Sequence, residues 1–430
     1  QWLGAITVSA NVMLTTDELG YLLEDSGAKL AFTTEALWPA LEPLVDSHLG
    51  GRRNVVICEG NLDGARSLQS SGSDAPSVPS TYREANDPAA ILYTSGTTGK
   101  QKGATLSVGN IVSNAEATRL YLRIDPSDRL LLFLPLFHVF GQNFIMNAAF
   151  AAGAAVVLHR RFDREQVFQS IVRDSVTMFF AVPTIYITLL DAGVGAEQLP
   201  NVRYFFSAAA TMPVEVAERW KQVLARPIYE GYGLSETSPF ASYNHEWRHR
   251  PGSVGTAIAN VELRIVDPSD NEVERGTWGE ICIKGPNVML GYWNRPEETA
   301  DALRGGWFHS GDVGYMDDDG FVFIVDRTKD MINTAGFKVW PREVEEVLYR
   351  HSSVAECAVY GLPDPVKGEV AIAAVVVAAG SRVTPEELER FCRQHLATYK
   401  IPRAFELVPD LPKSATGKIL KRVLREQAIP

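Results

Sequence analysis

The stretch "YTSGTTGKQKG", residues 93–103, sets five hydroxyl side chains, three glycines and two lysines into eleven positions. The preceding "AAIL" reads as a buried strand, and "SVGNIVSNAEATRLYL" after it reads as a helix. Strand, glycine-rich loop and helix is an anion-binding layout, because bare backbone N–H groups, hydroxyls and ammoniums all donate to phosphate. The Walker spacing is absent: two residues separate Gly96 from Gly99, and Lys100 is followed by Gln101.

Outward from this loop, "KLAFT", "NVVICEG", "RLLLFLP", "AAVVLH", "VTMFFAV" and "VRYFFSA" read as apolar strands between helices. One helix follows a capping box from Thr15 to Glu18, with Leu19, Leu22 and Leu23 on one face. Apolar strands alternating with helices predict an α/β fold of parallel-rich sheets covered by helices. Residues 64–82, rich in Ser, Gly and Pro, predict a mobile surface loop. Near residue 260 the pattern turns antiparallel: "VELRIVD" and "GEICIKG" alternate, and "GYMDDDGFVFIVD" reads as a hairpin closed at Asp-Gly. Its Asp run lacks the ligand spacing of a calcium loop. After "DRTKDMI", a helix opening at Pro341, two strands, a helix capped by Thr384 and Glu387, and "AFELV" make up a small α+β unit. The expected domains are therefore 1–328 and 329–430.

At 430 residues and 46% hydrophobic content, the chain can bury large cores. A net charge of −11 argues against a nucleic-acid surface and against anionic lipid. No run of eighteen uninterrupted apolar residues predicts a membrane span. Cys58, Cys282, Cys357 and Cys392 are scattered without CxxC spacing, so a reducing cytoplasmic location is expected. "YEGYGLSET" offers Tyr232 as a flat ring for a base, with Ser235 and Glu236 beside it for phosphate and magnesium. "WFHSGDVGY" sets Asp312 in a turn, where it can accept from ribose hydroxyls.

Taken together and in order, "YTSGTTGKQKG", "YGLSET", "WFHSGD", "DRTKD" and "PKSATGKI" resemble the adenylate-forming superfamily, most closely its fatty-acid-type acyl-CoA synthetases. The resemblance implies a large domain of parallel-rich sheets with a β-barrel-like portion, followed by a small mobile lid. It also implies a two-step reaction: a carboxylate attacks the α-phosphorus of ATP to give acyl-AMP and pyrophosphate, and coenzyme A then displaces AMP. By the same resemblance, Thr94, Ser95, Gly96, Thr97, Thr98, Gly99 and Lys102 hold phosphates. Ala209, Ala210, Glu230, Gly231, Tyr232 and Gly233 surround adenine, and Ser235 contacts phosphate. Glu236 holds Mg2+, Asp312 and Arg327 take the ribose, Lys329 is the hinge and Lys418 the catalytic lysine. His138 falls near the substrate carboxylate, where amino-acid-activating relatives carry an aspartate, so amino acid substrates are not expected.

The acyl pocket is expected from His138, Phe140, Phe144, Phe205, Ser207, Ala208, Met212, Pro239 and Phe240. With no fixed cation there, the expected acid is apolar and monocarboxylic, of medium or long chain, with aryl acids second. Gln101 stands where the family usually has proline, and Ala208 and Thr211 replace its commoner glycine and proline. The resemblance also implies a leading family segment upstream of residue 1. An acyl-AMP ligase serving a carrier protein, a luciferase-like oxidase and a non-catalytic binding protein share these motifs. From another class, "HEWRH", residues 245–249, matches the HExxH zinc-hydrolase pattern, although Pro251 and Gly252 cut short the helix it needs. Oligomeric state is not legible.

Overall fold

Whereas Ala31–Thr34 and Val55–Glu59 pair in a separate three-stranded sheet, four of the apolar segments predicted above, at 129–132, 155–158, 178–181 and 204–207, enter a seven-stranded sheet. Its order is Thr256–Ala257, Phe240–Tyr243, Ile228–Gly233, Tyr204–Ser207, Met178–Ala181, Arg129–Leu132, Ala155–Leu158. From Ile228–Gly233 onward the pairs are parallel, and helices Pro183–Asp191 and Val214–Leu224 follow two of the strands. The computed structural model describes residues 3–69, 80–94 and 101–428. All four residues of Met178–Ala181 are fully buried, as continuous apolar runs in a covered parallel sheet must be.

A further sheet runs Thr7–Ser9, Pro88–Thr94, Lys102–Ser107, Gly291–Tyr292. Here the sequence reading needs correction. The opening stretch joins two antiparallel strands, with Thr94 opposite Lys102, and the helix Val108–Tyr121 starts only after the second. Ser107 caps that helix by accepting from the Asn110 amide, and Asn110 reciprocates.

The antiparallel portion is the sheet Glu262–Val266, Gly279–Lys284, Phe308–Met316, Val322–Arg327. Asp317 takes up the Asp run's expected turn, accepting from the Asp319 and Phe321 amides. From Ile332 the chain builds another sheet around Gly368–Val377, with a core of its own centred on Val344, Leu348, Val359, Val375 and Leu388. Helix Pro341–Tyr349 of this small lobe is anchored to the large lobe: the Arg342 amide donates to Asp326 Oδ2 at 2.9 Å, and its guanidinium donates to the Ile324 carbonyl.

Candidate active site

Strand pairing creates the first half of the site. Asp312 and Arg327 are directly opposed in the antiparallel ladder, which sets Arg327 Nε 3.0 Å from Asp312 Oδ1. Tyr232, at the end of the strand Ile228–Gly233, donates its hydroxyl to Asp312 Oδ2 at 2.8 Å. Three blocks separated by up to 95 positions in the chain, residues 232 to 327, therefore meet in one hydrogen-bonded unit. Asp312 and Tyr232 are buried, and the carboxylate beside Arg327 holds that guanidinium above its ordinary range.

Glu236 opens the second half. Its Oε1 accepts from Tyr292 Oη at 3.0 Å and from Thr94 Oγ1 at 3.4 Å, so the carboxylate sits at the end of the strand Pro88–Thr94. Burial raises its pKa, opposed by hydrogen bonds from its own backbone, Tyr292 and Thr94, and by Arg327. Lys102 lies with Nζ 5.2 Å from the Tyr292 ring centroid. Ser235 begins the short 3-10 turn Ser235–Thr237 that carries Glu236. Ser95, Gly96, Thr97, Thr98 and Gly99 lie outside the described residues.

The small lobe closes the site. Gly417 presents its carbonyl to Thr184 Oγ1 at 3.3 Å, and Lys418, next in the chain, comes within electrostatic reach of Asp312, Arg327 and His138. The Arg327 guanidinium, and next burial, pull the Lys418 ammonium down to about 8 against the opposing pull of Asp312. Burial, assisted by Lys418, lowers His138 to about 4. Its Nδ1 accepts from the Phe140 amide at 3.2 Å, so the imidazole is neutral at physiological pH.

A cavity of about 1020 Å³ lies between the lobes. Ala209, Ala210, Gly231 and Gly233 line it together with Tyr232, Asp312, Arg327 and Lys418. Lys329 also lines it, on the 3-10 turn Thr328–Asp330 between the strands Val322–Arg327 and Ile332–Thr334. Burial lowers the Lys329 pKa. Glu230, another wall residue, is pushed up to about 8 by burial, with Arg342 opposing.

The acyl candidates divide. Phe140, Phe144 and Phe240 cluster, with Phe144 and Phe240 centroids 4.2 Å apart. Phe205 does not join them. It packs on Trp220 at 5.2 Å, across the sheet, and Phe206 occupies the expected place at 4.8 Å from Phe144. Alternation along Tyr204–Ser207 explains this correction: a shift of one residue changes faces. Ala208, Met212 and Pro239 are buried, as is Ser207, whose Oγ has no partner. Residues that the sequence did not single out are Tyr292, Thr184, Arg342 and Phe206. Only Phe206 carried a signal, in the alternation of its strand.

The zinc alternative fails on geometry. His245 pairs with Arg248 across a tight turn, its ring stacked on Trp247 at 4.8 Å, whereas His249 faces Tyr229 at 5.2 Å. No helix presents the two imidazoles on one side, which the HExxH pattern requires.

Lobe docking through Gly417 gives an expected result. A Cβ there would lie 2.8 Å from Val182 Cγ2 and 3.2 Å from Thr184 Oγ1, at a φ of +81°. Gly417→Val should slow adenylate formation by about 100-fold, the effect of a displacement of roughly 1 Å. Thioester formation from supplied acyl-AMP should change by less than about threefold, measured on the same preparation.

The same parts are found in known proteins. Residues 2–293 match the AMP-binding enzyme family, and residues 343–418 match the AMP-binding enzyme C-terminal domain. A long-chain-fatty-acid–CoA ligase of Bacillus subtilis (strain 168) is 36% identical over 99% of this chain and 81% of its own length. A feruloyl-CoA synthase of an Amycolatopsis species is 36% identical over 99% of this chain and 84% of its own. The crystal structure of ATP-bound MatB from Rhodopseudomonas palustris, 33% identical, superposes with a TM-score of 0.91 over 98% of this chain and 83% of that one. The apo structure of the same protein, at the same coverage, gives 0.77. Among the described residues no helix is long and apolar enough to cross a membrane. Matched by both domains of the family and by its ligases along nearly its whole length, the chain belongs to the AMP-binding enzymes, within the adenylate-forming CoA ligases.

Proposed function

We propose that the protein activates an apolar monocarboxylic acid with ATP, releasing pyrophosphate, and passes the acyl group to coenzyme A. The observation that carries this reading is the convergence of Lys418 from the small lobe with Tyr232, Asp312 and Arg327 of the large lobe around one cavity. Asp312 and Arg327 hold the ribose, Tyr232 packs on adenine between Gly231 and Gly233, and Ala209, Ala210 and Glu230 complete the base pocket. Thr94, Ser235 and Lys102 hold phosphates together with the loop Ser95–Gly99.

Attack of a carboxylate on a phosphate brings two anions together, so charge neutralisation is the main catalytic requirement. Lys418 donates to the oxygens where charge develops. His138, neutral and donating from Nε2, orients the substrate carboxylate without neutralising its nucleophilic charge. Glu236 with the Thr94 hydroxyl is an all-oxygen donor set suited to Mg2+, which adds its own charge neutralisation at the phosphates when bound. Adenylation consumes the charge that Lys418 serves. The domain carrying it, residues 329–430, then rotates about Lys329 and opens a path for the thiol of coenzyme A. The test is incubation with ATP, Mg2+ and a panel of carboxylic acids. Acid-dependent pyrophosphate and AMP, followed by thioester when coenzyme A is added, are expected. Acid-independent release of ADP and phosphate would overturn the reading.

The Lys418 titration gives a pH dependence with a defined sign. Its pKa is lowered to about 8, so the catalytic ammonium is present below that pH and is lost above it. The kcat/KM for ATP, which reports the free enzyme, should therefore fall as pH rises through about 8. Lys418→Arg should remove that limb of the profile.

A further inference from the structure

We infer that a closed aromatic quartet limits this ligase to carboxylic acids with a compact acyl part, a short chain or a single ring, in place of the medium or long chain expected from sequence. This rests on the ligase reading above. Phe140, Phe144, Phe206 and Phe240 have every pair of ring centroids within 6.2 Å, from 4.2 Å for Phe144–Phe240 to 6.2 Å for Phe140–Phe206. None is more than 3% exposed.

The quartet stands where the acyl part has to go. The cavity wall at Gly231 has no side chain, and directly behind it lie Phe240 and Phe206: a Cβ on Gly231 would be 2.4 Å from Phe240 Cε1 and 2.6 Å from Phe206 Cζ. At the other edge, the Phe140 amide donates to His138 Nδ1, so the quartet begins two residues from the histidine proposed above to orient the substrate carboxylate. Behind the rings lie further packed aromatic side chains. Phe180 lies 5.6 Å from Phe144, and Tyr243 lies 5.8 Å from Phe240 with its hydroxyl fixed to the Ala117 carbonyl at 3.1 Å. A long alkyl chain would have to displace packed core rings, whereas a short chain or one aryl ring can lie against their edges.

The test compares kcat/KM for pyrophosphate release with butyrate, benzoate, cinnamate and dodecanoate, in wild type, Phe240→Val and Phe144→Ala. The wild type should prefer its best compact acid over dodecanoate by at least about 100-fold, since several excess methylenes each discriminate. Phe240→Val, the milder change, should raise dodecanoate kcat/KM at least about tenfold and lower that of the preferred acid. Dodecanoate used by the wild type within about tenfold of the best compact acid would overturn the size limit and leave the ligase reading intact. A folded Phe240→Val enzyme with an unmoved ratio would overturn it too, and the wild-type comparison decides if neither variant folds. No pyrophosphate with any acid would remove the ligase reading itself, and the size limit with it.

Discussion

Lys418→Ala is expected to slow acyl-adenylate formation by about 100- to 1000-fold while leaving thioester synthesis from supplied acyl-AMP within about threefold of wild type. The asymmetry follows from where the side chain sits. Lys418 lines the cavity next to Gly417, whose carbonyl accepts from Thr184 Oγ1, and it feels the charges of Asp312 and Arg327. In the proposed mechanism its ammonium faces the phosphates during the first step, and the lobe that carries it moves before the second. Single-turnover pyrophosphate release and a coupled assay from synthetic acyl-AMP separate the two halves. Equal losses in both would mean that Lys418 is structural.

Asp312→Ala should lower kcat/KM for ATP by at least about 100-fold, because hydrogen bonds to a charged group contribute about 1.5–3 kcal/mol each and both of the proposed ribose contacts lose their acceptor together. The substitution also releases Arg327 from its 3.0 Å partner and leaves the Tyr232 hydroxyl without its 2.8 Å acceptor. Asp312→Asn, which keeps the shape and one acceptor oxygen, should lose about tenfold. Steady-state kinetics in ATP, with thermal melting as the control for folding, distinguish nucleotide loss from unfolding. Unchanged ATP kinetics in a folded Asp312→Ala protein would remove the ribose assignment.

Local signals in the chain were reliable where the physics is local. The capping boxes at Thr15 and Thr384 both form, and Pro341 opens its helix at the first turn, since each needs only neighbours within a few residues. The strand Lys102–Ser107 was missed because "KGATLS" is poor in bulky strand formers. Pairing with Pro88–Thr94 and Gly291–Tyr292 overrides that weak propensity. The ordered blocks named Tyr232, Asp312 and Arg327, yet their mutual contacts depend on strand register, which no single block encodes. Tyr292 holds Glu236 from a two-residue strand with no spacing motif around it. At Phe205 and Phe206, composition could not choose the face of the sheet that meets the site.

The central claim is that a carboxylate oxygen attacks the α-phosphorus of ATP beneath Lys418. Turnover of an accepted acid labelled with 18O in both carboxylate oxygens, in the presence of coenzyme A, tests it directly by mass spectrometry of the nucleotide product. The account predicts AMP carrying one 18O atom and unlabelled pyrophosphate. Unlabelled AMP, or ADP with the label in inorganic phosphate, would contradict it.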